Sequence, residues 1–169
     1  MKTFRILGAL ALGASAVAFL PTAAMADDTT TTFSLTGGSL TLAVQGTATL
    51  TDATTGTTAI TGNLGAVSVT DLRGGTAIWS TSGESTAFTG ALGSSSTAVI
   101  YTAGTITETG TITVADGTAT ALTATAASVV APSSLSGSNT ASWDPTLDVT
   151  MPAGALVDDY SGTVTTSVL

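Results

Sequence analysis

The chain has 169 residues, with 11 Asp+Glu against 3 Lys+Arg, no histidine, no cysteine, and 43% hydrophobic but only 5% aromatic residues. That balance argues against a nucleic-acid binder, whose phosphate contacts need cations, and against electrostatic adhesion to an anionic lipid surface. It also removes disulfides and the side chain that most often serves as general base or metal ligand.

Residues 1–26 read as a secretory signal peptide. Lys2 and Arg5 give a positive start, residues 6–20 form an apolar run, Pro21 breaks it, and Ala24-Met25-Ala26 is a small-x-small cleavage site before Asp27. The apolar core is short for a membrane span. An uncleaved amino-terminal anchor is the alternative reading of the same residues. Cleavage leaves residues 27–169 as one domain, long enough to bury a core, with no transmembrane segment of its own. Arg73 is then the one remaining cation and the formal charge becomes −10. Such a charge suits a secreted protein that resists non-specific association.

From there the pattern is alternation. Phe33 and Leu35 share a parity, then Leu40, Leu42 and Val44, then Val67 and Val69, then Ala77 and Trp79. Ile112 and Val114 follow, then Leu147, Val149 and Met151, and finally Tyr160, Gly162, Val164, Thr166 and Val168. Period-two patterning rich in β-branched residues predicts half-buried strands. Turn-forming clusters separate them at Gly37-Gly38, 52–56, Gly62-Asn63, Arg73-Gly74-Gly75, 90–96, 115–117, 133–139 and 152–154. Residues 119–130 are where a helix competes best, but their threonines and lack of charge favour a strand. The expected fold is all-β: a single antiparallel β-sandwich over residues 27–169, behind the leader. No internal repeat stands out.

Three stretches carry a family resemblance. The segment from Leu64 through Val67-Ser68-Val69-Thr70-Asp71-Leu72-Arg73-Gly74-Gly75 to Trp79 resembles the first signature of WxL-domain surface proteins, in which a strand ends in Asp-x-Arg-Gly and a Trp opens the next strand. The segment from Gly154 through Tyr160 to Leu169 is similar to the second signature, where a Tyr opens a terminal strand carrying the second Trp-x-Leu. The approach from Asn139 through Trp143 to Val149 resembles exported actinobacterial relatives. Thr81 stands where the family has the first Leu, and Thr166 and Val168 stand where it has the second Trp and Leu. The chain thus looks like a divergent member. The resemblance implies a β-sandwich held non-covalently on the Gram-positive cell wall through peptidoglycan.

The candidate wall-binding or signature residues are Asp71, Arg73, Trp79, Trp143 and Tyr160. Arg73 reads in two ways: a fork that grips a carboxylate or sugar-peptide ligand beside Trp79, or an internal clamp on Asp71 that fixes the turn. Trp79 and Trp143 either line a carbohydrate-facing groove or pack in the core. Tyr160 reads as a corner residue whose hydroxyl ties down nearby backbone. Asp116, Asp144, Asp148, Asp158 and Asp159 offer calcium-type oxygens, yet no calcium-loop pattern is present and turn formation accounts for them. Serine and threonine abound without a nucleophile elbow or a histidine to activate one, and paired acids able to cut a glycosidic bond are not recognisable. The expectation is therefore a non-enzymatic, secreted, extracellular or wall-associated protein that needs no cofactor. Its partners would be peptidoglycan and other surface proteins. The alternative is a structural or adhesive subunit that assembles by pairing strand edges.

Overall fold

The computed structural model describes residues 29–169. The leader expected over residues 1–26 and its cleavage site lie outside the described residues. The chain divides into two compact units, Met1–Ser34 and Leu35–Leu169. The described part of the first, residues 29–34, carries no strand. In the second unit, thirteen strands and no helix make up the regular structure of the described residues. No helix there is long and apolar enough to cross a membrane, a statement that does not bear on spanning by strands.

In chain order the strands are β1 (Leu40–Ala43), β2 (Ala59–Asn63), β3 (Val67–Asp71), β4 (Thr81–Ser85), β5 (Phe88–Thr89), β6 (Ser95–Ser96) and β7 (Val99–Gly104). They continue with β8 (Thr107–Val114), β9 (Gly117–Leu122), β10 (Ala127–Val130), β11 (Pro132–Trp143), β12 (Thr146–Thr150) and β13 (Val164–Val168). All pairings are antiparallel. One four-stranded sheet runs β1-β3-β11-β8 and another β2-β12-β7-β9. A three-stranded sheet runs β10-β4-β13, and β5-β6 is a small hairpin. Most neighbours in these sheets are far apart in sequence, so the fold is held by long-range pairing.

One face of each main strand is buried because its alternate residues are apolar. Val67 and Val69 of β3, Ala141 and Trp143 of β11, Val99 and Tyr101 of β7, and Leu147 and Val149 of β12 all enter one hydrophobic core. Leu122 of β9 and Val130 of β10 join them. Burying an aliphatic side chain of this size contributes about 1.5–3 kcal/mol. With aromatics so scarce, Trp79, Tyr101 and Trp143 supply much of the core's bulk.

The structure departs from the expected pattern in several places: Val44, Met151, Tyr160 and Gly162 lie outside strands, and the expected turn at Gly62-Asn63 is the end of β2. Ala77 and Trp79 share a parity, yet residues 75–80 form no strand; Trp79 is buried by a tethered loop. Phe33 and Leu35 also lie outside any strand. Conversely, residues 133–139, with their Ser, Gly and Asn content, look like a turn but belong to β11. Register shifts between Pro132 and Ser134 and between Ser136 and Asn139 absorb the awkward residues, with Gly137 at φ 69° inside the second. Residues 119–130 are strand on both sides of a short turn, in β9 and β10.

Candidate functional site

Strand β3 sits between β1 and β11, and its core-facing residues are Val67, Val69 and Asp71. Period two therefore places a carboxylate where an apolar side chain would otherwise point. Asp71 is opposite Leu40 on one side and Asn139 on the other. Its side chain is only 3% exposed. A charge so placed is costly unless it is paired and hydrogen-bonded.

Arg73 supplies the pairing. Its Nε donates to Asp71 Oδ1 at 2.9 Å and its Nη2 to Asp71 Oδ2 at 2.8 Å, a two-pronged contact. The Arg73 backbone N–H also donates to Asp71 Oδ1, at 2.9 Å. The hydrogen-bonded guanidinium holds the Asp71 carboxyl below the usual carboxylate range, against the upward push of burial. Asp71 in turn raises Arg73. Arg73 Nη2 donates as well to the Ala77 carbonyl at 2.8 Å, which ties the loop before Trp79 to the end of β3.

Further backbone contacts fix this loop. The Gly137 N–H donates to the Gly75 carbonyl at 2.9 Å, and the Gly38 N–H to the Leu72 carbonyl at 2.6 Å. A side chain at Gly37 would collide with the Arg73 carbonyl, so the close approach of the chain before β1 requires glycine there. The loop thus forms an internal clamp whose anchored end delivers Trp79 to the core at 0% exposure. Arg73 is not spent on the clamp alone. Its side chain remains 34% exposed, and Nη1 makes no hydrogen bond within the described residues. Leu72 and Ile78 flank it in sequence, and both are exposed.

The other candidates lie elsewhere. Trp143 is buried in β11, and its Nε1 donates to the Tyr101 hydroxyl at 2.8 Å. Burial raises the Tyr101 phenol, while the Trp143 hydrogen bond lowers it by less. Tyr160 is half-buried, and its hydroxyl donates to the Leu156 carbonyl at 2.6 Å, holding the turn that precedes β13. The five residues therefore do not converge on one pocket: Asp71, Arg73 and Trp79 share a loop, while Trp143 and Tyr160 act at separate points.

Two participants had little sequence signal. Tyr101 sits among Val99, Ile100 and Ala103 in a strand of weak alternation, and only its role as acceptor for Trp143 distinguishes it. Asn139, opposite Asp71, is buried with its amide donating to the Gly137 carbonyl at 3.1 Å. Its Oδ1 and the Trp79 Nε1 have no partner among the described residues, each at a cost of about 1–3 kcal/mol.

Two of the acids hold loops. Asp158 accepts from the Leu92 N–H at 2.6 Å, and Asp116 from the Ile106 N–H at 3.1 Å. Among the described residues no three acids gather as a metal-holding group. An open groove of about 300 Å³ runs past the end of β1, between residues 44–50 and β13, and none of its lining side chains is charged. The chain matches no protein-family model, no curated protein and no solved structure.

Proposed function

We propose that this is a secreted, non-enzymatic cell-surface protein, folded as a β-sandwich, that binds the peptidoglycan of the cell wall non-covalently through the loop of residues 72–78. The observation that carries the reading is the state of Arg73. The one cation of residues 27–169 is held in a fixed orientation by Asp71 and the Ala77 carbonyl, and its side chain remains 34% exposed on a loop that also carries the exposed Leu72 and Ile78. A pre-oriented guanidinium loses little freedom on taking a carboxylate. Leu72 and Ile78 on the same loop suit the apolar parts of a sugar-peptide polymer, whose stem carboxylates are the natural mate for Nη1. The resemblance of residues 64–79 and 154–169 to WxL-domain proteins supports the same wall attachment. A shared core for the sheets supports the two-layered arrangement, and the pattern of residues 1–26 supports export.

The test is co-sedimentation with purified wall sacculi. The wild-type protein is expected to pellet with them. The pair Leu72→Ser and Ile78→Ser, which leaves the clamp intact, is expected to weaken retention by about tenfold, as loss of two partly buried aliphatics implies, with no change in Tm. A wild-type protein that stays in the supernatant defeats the proposal.

A further inference from the structure

A strand edge with unused hydrogen-bonding groups lies beside the open groove. Ser80 and Leu169 exchange both backbone hydrogen bonds at 3.0 Å, and the Thr86 N–H donates to the Thr163 carbonyl at 3.0 Å. In an antiparallel pair such positions alternate. Residues 163, 165, 167 and 169 therefore turn their backbone groups toward β4, while Val164, Thr166 and Val168 turn theirs to the other side. No strand of the described residues pairs with β13 on that side. The inward side chains of Val164 and Thr166 line the groove, whose floor reaches Val67, Tyr101 and Leu147 of the core.

The chain also carries a segment with the complementary need. Residues 29–39 form no strand, and Phe33 and Leu35 are each 92% exposed. Their shared parity, with Ser34 between them, is that of a strand with one apolar face. Residues 29–36 span about 26 Å when extended at about 3.3 Å per residue, longer than the five-residue β13 edge. Gly38 is pinned to Leu72 at the start of β1, whereas the groove opens past the end of β1, at residues 44–50.

We propose that residues 29–36 of one copy add as a strand to the free edge of β13 in a second copy, with Phe33 and Leu35 seated in its groove. Charge decides for a second copy of this chain. The chain is formally −8, so copies repel over most of their surface. The donor segment and the groove lining both lack charged side chains, so this is a face on which two copies meet without opposing like charges. Backbone pairing supplies affinity, and the alternate apolar side chains set the register. Donor and acceptor are different surfaces of the same chain, so the contact is head-to-tail and builds open chains rather than closed dimers.

The inference is independent of wall binding, since neither Leu72 nor Ile78 takes part. The test is analytical ultracentrifugation of the purified exported protein over a concentration series. Wild-type protein is expected to form dimers and longer chains. Phe33→Asp with Leu35→Asp removes the donor and is expected to lower the association constant by about a hundredfold. Thr166→Pro removes one edge N–H that β4 does not use, and is expected to do the same from the acceptor side. If Thr166→Pro melts earlier than wild type, Thr166→Lys, which places a charge over the groove, takes its place. Each variant keeps one working half, so an equimolar mixture of the two is expected to yield a dimer that grows no further. A wild-type protein that stays monomeric, by folding its own segment back or by leaving it unbound, overturns the proposal. So do chains that ignore the Phe33 and Leu35 changes, or a mixture that stays monomeric.

Discussion

Asp71 and Arg73 are two residues apart, and the conflict between them and the core is resolved over that distance. A carboxylate on the buried parity of β3 is unfavourable by itself; the guanidinium makes it tolerable and uses it as an anchor for the loop. Removing one partner is therefore predicted to be worse than removing both. Arg73→Met alone is expected to lower Tm by several degrees, because Asp71 is left charged and unpaired. Asp71→Asn combined with Arg73→Met is expected to recover part of that loss, and a double-mutant thermal cycle measures the coupling. The pH dependence has a definite sign. The folded pKa of Asp71 lies below its unfolded value. The pair's contribution is then fully present above the ordinary aspartate range and is lost as pH falls through the lowered folded value. The stability difference between the wild type and the double variant is expected to be constant above that acidic window and to shrink within it. Parallel acid curves contradict the clamp. The sequence made Arg73 conspicuous by its isolation and favoured the clamp over the ligand-gripping fork without deciding between them. Only the position of Asp71 on the core face separates them, because it gives the guanidinium a partner that cannot turn away to water.

At the scale of elements, β11 shows why strand content was only partly legible. Its residues 133–139 are Ser, Leu, Gly and Asn, the composition of a loop. They remain in the sheet because two register shifts against β8 let the strand carry residues that do not fit a regular pleat. The partner strand adapts too: Gly110 has φ 89°, and a Cβ there would lie 2.5 Å from the Ser138 carbonyl oxygen. Gly110→Ala is predicted to destabilise the protein by about 2 kcal/mol or more, from the left-handed backbone and the clash together. Gly137→Asn, where a Cβ meets nothing and asparagine tolerates the φ of 69°, is predicted to cost well under half of that. Denaturant melts of the two variants check the contrast. Strands with clear aliphatic alternation, β1, β3 and β12, were readable because burial of one face imposes period two. Ala77 and Trp79 carried the same signal for another reason. Trp79 reaches the core on a loop held by Arg73, and burial without strand pairing leaves the same imprint on the sequence.

At the scale of the molecule, nearly all charge is negative and is divided between loops and strands, and the core is built from aliphatic residues with three large aromatics. The all-β class followed from that composition. Sheet order did not, because strands as distant as β3 and β11, or β4 and β13, pair through contacts with no local signature. The candidate site was legible as a list of residues and not as an arrangement: Asp71, Arg73 and Trp79 belong together, while Trp143 and Tyr160 serve the core and a turn. What distinguishes the surface is a single oriented cation among the described residues of an acidic protein, and the account of wall attachment rests on it. An NMR titration of isotopically labelled protein with solubilised peptidoglycan fragments tests this most directly. The account predicts saturable shifts centred on the Arg73 side-chain N–H signals and on Leu72 and Ile78. Shifts confined to other regions, or none at saturating fragment, contradict it.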